Sequence, residues 1–126
     1  MASVSPAPPI NITADEYQEL MRLWTRRTKR LPGFPRKLKP RLVALHYFQM
    51  AFSADAIYSE AEVGRAIQEG NIFATDHVQI RRHLIDYGML QRTASGDRYR
   101  LSDSYLSLAT WDPDVLARDT EGVSED

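Results

Sequence analysis

A mostly helical domain closed by a small β-hairpin is the fold class this sequence predicts. Three observations predict it. Apolar residues recur at helical spacing in four stretches between Thr13 and Tyr87. Two capping-box pairs, Thr13 with Glu16 and Ser59 with Glu62, mark helix starts. After Gly88 the pattern changes from helical to alternating period.

Residues 1–12 are rich in Pro, Ser and Ala, lack periodicity and are expected to form a disordered tail. Thr13 opens an N-terminal helix over 13–30, with Tyr17, Leu20, Met21 and Trp24 on one apolar stripe. That stripe either packs on the domain core or forms a dimerisation seam. Leu31-Pro32-Gly33-Phe34-Pro35 cannot continue the helix. Pro40 suits the first turn of the next one. Leu42, Leu45, Phe48 and Phe52 line one face there, and Val43, Tyr47 and Met50 widen it, so this helix is expected to be buried on more than one side.

Ala56-Ile57-Tyr58 reads as a short strand. Ser59 then caps a helix with Val63, Ala66 and Ile67 facing inward, stopped by Gly70. Thr75 caps a third helix, 75–87, ending at Gly88, with Ile80, Leu84 and Ile85 inside and Val78 near the edge. Met89 to Ala94 and Arg98 to Leu101 read as strands around a turn at Ser95-Gly96-Asp97. In the return strand Tyr99 and Leu101 point inward, Arg98 and Arg100 outward. Residues 104–118 add a last short helix around Trp111. This order is that of a winged helix-turn-helix (α+β) with an extra N-terminal helix. The expected organisation is a tail (1–12), the N-terminal helix (13–30), the winged-helix domain (31–103) and a C-terminal extension (104–126) with an acidic, partly disordered tail.

Composition bounds the function. Apolar residues at 43% suffice for one modest core. There is no cysteine, hence no disulfide, thiol nucleophile or Cys-based zinc site. No apolar run approaches the roughly 20 residues that cross a bilayer, and the N-terminus lacks the features of a secretory signal. A soluble, cytoplasmic protein with no membrane partner is expected. The net charge of −1 hides a segregation: residues 22–41 carry nine of the sixteen basic residues and no acid. Asp112, Asp114, Asp119, Glu121, Glu125 and Asp126 face only Arg118 at the other end. Such asymmetry marks either an anion-binding face or a pair of solvated surfaces.

The stretch from Leu31 to Leu101 resembles the bacterial domain-of-unknown-function family 2087. The resemblance rests on Leu31-Pro32, Arg36-Lys37-Leu38-Lys39, Ile57-Tyr58-Ser59-Glu60, Glu62-Val63, Asp76, Arg81 to Gly88, Leu90-Gln91-Arg92 and Gly96 to Tyr99. Its most specific part is the Arg-Arg-x-Leu-[Val/Ile]-Asp-x-Gly-x-Leu-x-Arg core, and it covers about half of the chain. The family pattern has Val-Asn where this chain has Val63-Gly64. The resemblance implies a winged-helix-like fold and a role in transcriptional regulation.

On the third helix Gln79, Arg82, His83 and Asp86 share the face opposite Ile80 and Leu84, with Arg81 at the border. A recognition helix would present these residues to the major groove of duplex DNA. The competing reading has Arg81 or Arg82 paired with Asp86, Glu60 or Glu62 to clamp helix to helix. Arg98 and Arg100 flank the wing at 94–98 and suit backbone contact, or form an ordinary polar strand face. Arg92, on the register of Leu90, reads as a structural salt-bridge partner. Arg36, Lys37 and Lys39 lead into a helix start, where free N–H groups favour anions. His46, His77 and His83 make no ligand pair, and no catalytic or phosphate-loop motif occurs. No enzyme activity, metal or cofactor is expected. The sequence therefore points to a DNA-binding regulator, dimeric through Tyr17, Leu20, Met21 and Trp24. The alternative is a winged-helix adaptor that docks a protein partner.

Overall fold

The computed structural model describes residues 10–26, 33–95 and 97–116. Its elements in chain order are β1 (Asn11–Ile12), α1 (Ala14–Thr25), α2 (Leu38–Gln49), β2 (Tyr58–Ser59), α3 (Glu60–Gly70), α4 (His77–Asp86), β3 (Leu90–Arg92), β4 (Arg98–Leu101), β5 (Thr110–Trp111) and α5 (Pro113–Leu116). A 3-10 helix, Ser104–Leu108, precedes β5. The described chain is mostly helical with a small antiparallel sheet. No helix in it is long and apolar enough to cross a membrane.

Local chemistry starts α1 and α3 where the sequence predicts. The Thr13 hydroxyl accepts from Glu16 N while the Glu16 carboxylate accepts from Thr13 N. Ser59 and Glu62 repeat the arrangement on α3. Each box satisfies two backbone donors that a helix start leaves open. At the other end of α4, Gly88 adopts φ +76°, a left-handed conformation that suits glycine. A side chain there would also collide with Ser104, whose Cβ would lie 2.7 Å from the new Cβ.

α2 is the centre of the fold. Leu42, Val43, Ala44, Leu45, His46, Phe48 and Gln49 are all buried, so it has almost no solvent face. α3 and α4 pack against each other and present Val63, Ile67, Ile80 and Leu84 to the same core. β4 is the middle strand of the three-stranded antiparallel sheet β2-β4-β3. Tyr58 pairs with Tyr99, and Leu90 with Leu101. Alternation buries Tyr99 and leaves Arg98 and Arg100 outside, as the strand period requires. Leu45, Phe48, Ile67, Leu84, Leu90 and Tyr99 belong to one core.

Several expectations are corrected. Residues 1–9 lie outside the described residues, but Asn11–Ile12 are a strand rather than disordered tail, and Ile12 is fully buried. They pair in parallel with Thr110–Trp111, so Trp111 sits in a strand and not in a helix. The pairing holds because Thr110 N donates to Ile10 O and Asp112 N to Ile12 O, at 2.8 and 2.9 Å. The Asp112 carboxylate then accepts from Ala14 N and Asp114 N, both at 3.0 Å, and these N–H groups hold its pKa below the usual range. Residues 104–116 thus fold back onto the domain, while the acidic tail from 117 and the Gly96 turn position lie outside the described residues.

The stripe on α1 faces inward. Tyr17, Leu20, Met21 and Trp24 are partly buried against the chain's own core. The Tyr17 hydroxyl hydrogen-bonds His46 Nδ1 at 2.8 Å, and Trp24 meets Phe73 edge-on at 5.3 Å. Core contact, one of the two uses that the spacing allows, is the one the chain's own contacts display. Residues 27–30 of the expected helix lie outside the described residues. Met50, placed on the apolar face of α2 by spacing, is exposed because it falls at the C-cap. Thr75 is not the cap of α4; Asp76 is. Asn71 explains the shift: its side chain accepts from Phe73 N and donates to Thr75 O, holding Thr75 in the turn.

Two substitutions test this architecture by urea denaturation. Leu84→Ala is expected to cost about 2–5 kcal/mol, a buried large-to-small change. Gly88→Ala is expected to destabilise by about 1–3 kcal/mol, combining left-handed strain with the Ser104 collision. An unchanged midpoint for either variant contradicts the packing at that residue.

Candidate nucleic-acid interface

α4 contributes the exposed residues Gln79, Arg82 and Asp86, one helical turn apart on the face opposite Ile80 and Leu84. Arg82 makes no ion pair among the described residues. His83, expected on the same face, is partly covered. Its ring stacks on Phe34 at 5.6 Å with planes 16° apart, and Gln79 Nε2 lies 3.5 Å from its Nε2.

The Phe34 contact belongs to a larger clamp. Arg41, at the start of α2, donates from Nε to Pro35 O at 2.8 Å and from Nη1 to the Tyr87 hydroxyl at 3.2 Å. Its guanidinium lies 6.0 Å from both the Phe34 and Tyr87 rings. These contacts fix residues 34–37 beside the C-terminal half of α4. Arg36 and Lys37, which follow this clamp in the chain, are exposed. Lys37 is the backbone cap of α2 without a side-chain cap bond. Lys39 goes elsewhere: its Nζ donates to Glu16 Oε2 at 3.1 Å, tying α2 to α1.

Arg81 is mostly enclosed, with 12% of its side chain exposed. Its Nη1 lies 3.5 Å from Glu60 Oε2 and its guanidinium 5.9 Å from the Tyr99 ring. Of the two sequence readings, the helix clamp is the one this geometry displays for Arg81. Arg92 lies over the same Tyr99 ring at 5.7 Å and is exposed. It makes no ion pair among the described residues, so the expected salt bridge is replaced by a cation–π contact.

Tyr99 therefore joins α4 to the hairpin, and strand alternation sends Arg98 and Arg100 to the opposite sheet face. Arg98 sits across from Ser59 and Arg100 across from Gln91. Gln79 and Arg82 share one exposed face of α4, Phe34, two residues before Arg36, stacks on His83 of the same helix, and Arg92 meets Arg81 over the Tyr99 ring. The structure separates Arg98, Arg100 and Lys39 from them. Arg92 and Arg41 are the basic residues that sequence reasoning under-weighted. The shared parity of Arg92 and Leu90 was the available signal for the first. Nothing local in the sequence announces the Arg41 clamp.

A family model for uncharacterized proteins conserved in bacteria, DUF2087, matches residues 30–101. The chain belongs to this family, whose matched region runs from just before the described segment 33–95 to the end of β4. No curated protein matches the chain. No solved structure matches it.

Electrostatics gives this surface a measurable signature. Burial under Phe34 lowers the His83 pKa, Arg41 lowers it further, and Asp86 opposes them. A folded-state value below the unfolded one means that the unfolded chain binds more protons in between. The His83 contribution to stability is full above about 6.5, the unfolded value, and is lost as pH falls from there through the folded value. An NMR titration is expected to place His83 below the ordinary histidine value and Arg41→Gln to move it upward. A midpoint insensitive to Arg41→Gln contradicts the clamp.

Proposed function

We propose that this chain is a winged-helix DNA-binding protein and acts as a transcriptional regulator in the bacterial cytoplasm. In this reading α2, β2, α3, α4 and the β3–β4 hairpin form the winged helix, α4 is the recognition helix and the hairpin is the wing. The order helix, strand, helix, helix, hairpin and the sheet order β2-β4-β3 support it. One observation carries the DNA reading. Gln79 and Arg82 form an exposed face on α4, the segment leading to the exposed Arg36 and Lys37 is clamped to that helix through Phe34, Arg41 and Tyr87, and exposed Arg92 shares the Tyr99 ring with Arg81. Gln79 and Arg82 are residue types that read adenine and guanine edges in the major groove. Arg36, Lys37 and Arg92 would neutralise backbone phosphates and set the register.

A protein-docking adaptor of the same fold is the second reading. Asp86 favours it, because a carboxylate on the α4 face repels phosphate, and Glu60 already offsets Arg81.

Fluorescence anisotropy on duplex DNA at two salt concentrations separates the two. DNA binding is expected at low salt. Lys37→Ala or Arg92→Ala should each flatten the slope of log affinity against log salt by about 0.9 and weaken all sequences alike. Arg82→Ala should cost about 1–3 kcal/mol on a preferred site, selected from a random library, and little on random DNA. Arg98→Ala should leave the slope unchanged. Absence of binding at low salt rejects the DNA reading and leaves the adaptor.

A further inference from the structure

At the base of the hairpin, away from the Arg82 face, Gln49, Ala54, Gln91, Arg100, Leu101, Ser102, Asp103 and Tyr105 line an open cleft of about 460 Å³. Gln49 is only 2% exposed and its orientation is fixed. Its Nε2 donates to Met89 O and Ser102 O, both at 3.1 Å. Two carbonyl partners leave no choice of amide flip, so Oε1 is the atom left over, and it has no hydrogen-bond partner among the described residues. Oε1 is itself enclosed, and an acceptor left without a donor there is open to any donor that the cleft wall admits.

The cleft also holds one charge of each sign. Arg100 and Asp103 are both exposed, and neither makes an ion pair among the described residues. A simple anion would meet Arg100 but be repelled by Asp103, and a simple cation the reverse. A small molecule bearing both charges satisfies the pair. Its carboxylate would pair with the Arg100 guanidinium, and its ammonium would donate to Asp103 and, with a small shift of the wall, to Gln49 Oε1. Ala54, Leu101 and Tyr105 give the same cleft apolar surface for a side chain to lie against.

We infer that this cleft is a binding site for a free α-amino acid. It is independent of the DNA reading, since none of its residues lies on the α4 face. The bound molecule would bridge the end of α2 to the strand that leaves the hairpin.

The test is an NMR titration of the full chain, followed by 1H–15N spectra, with each common L-α-amino acid in the millimolar range. The expected result is saturable shifts confined to residues 49, 54, 91 and 100–105 for at least one of them. Arg100→Gln and Asp103→Asn, both at exposed positions, should each weaken that binding by roughly tenfold or more. The N-acetyl and the methyl ester derivatives of the same amino acid, each keeping one charge, should lose affinity likewise. Four outcomes overturn the inference: no saturable shifts with any amino acid, which makes the cleft a hydration site only; shifts that map elsewhere; affinity unchanged in both variants; or equal binding of the N-acetyl derivative, which makes it a plain anion site.

Discussion

The burial of α2 on nearly every side is the constraint on which the rest depends. A helix without a solvent face must find partners for each polar side chain it carries, because an unpaired buried amide or imidazole costs more than a hydrogen bond returns. α2 carries two such groups, and each recruits a different part of the chain. Gln49 donates to the carbonyls of Met89 and Ser102, the residues on either side of the hairpin. Ser102 N also donates to Met89 O, so the two hairpin ends close on each other and on α2. His46 takes the Tyr17 hydroxyl of α1 and lies among Tyr105 and Trp111 of the C-terminal extension. Burial pushes the Tyr17 hydroxyl pKa far up, so it stays protonated. Half-buried Tyr47 reaches out to Gly70 O at the end of α3. The helix pair, the hairpin and both terminal extensions are thus each fastened to α2.

This arrangement divides the basic residues into two groups. Arg41, Arg81 and Lys39 contact aromatic rings, carbonyls or carboxylates inside the fold, where they set the placement of α4, the hairpin and α1. Arg36, Lys37, Arg82 and Arg92 remain exposed. The dense run at 22–41 therefore overstates the charge available to a partner, since three of its members, Arg22, Lys39 and Arg41, are already engaged. The α4 surface is more weakly positive than the sequence count implies. A surface of that kind fits recognition through a few directional contacts better than through bulk charge.

Much of the core fold was legible. Capping boxes, the helical spacing of Leu42, Leu45 and Phe48, and the switch of period at Gly88 are local signals, and each reports on neighbours a few residues away. What the sequence did not reveal is non-local. β1 and β5 have two residues each and lie nearly a chain length apart, so neither carries a periodicity. Trp111 looks the same in a short helix and in a two-residue strand. The fate of the α1 stripe turned on whether His46 and Phe73 faced it, which no spacing within residues 13–30 encodes. At the site, the exposed α4 residues followed from helical period, but the contribution of the hairpin did not. Outward arginines were sought at 98 and 100, whereas the inward parity of Arg92, combined with a position at the open edge, puts it beside α4.

One departure from the family pattern bears on how α4 presents its face. Where the resemblance leads one to expect Asn, this chain has Gly64, buried between α3 and α4. A Cβ at that position would lie 3.2 Å from Cδ2 of His77, so the absent side chain is what lets the imidazole lie across α3. The polar link between the helices comes instead from Gln68, whose Nε2 lies 3.1 Å from His77 Nδ1. Asp76 Oδ1, at 3.4 Å, shares the same nitrogen. His77 is the first residue of α4. Its close seat on Gly64 and its bond to Gln68 therefore fix the point from which α4 departs, and with it the direction in which Gln79 and Arg82 project. A larger residue at 64 would press on the His77 ring, which would have to give by about a few tenths of an ångström at the start of α4.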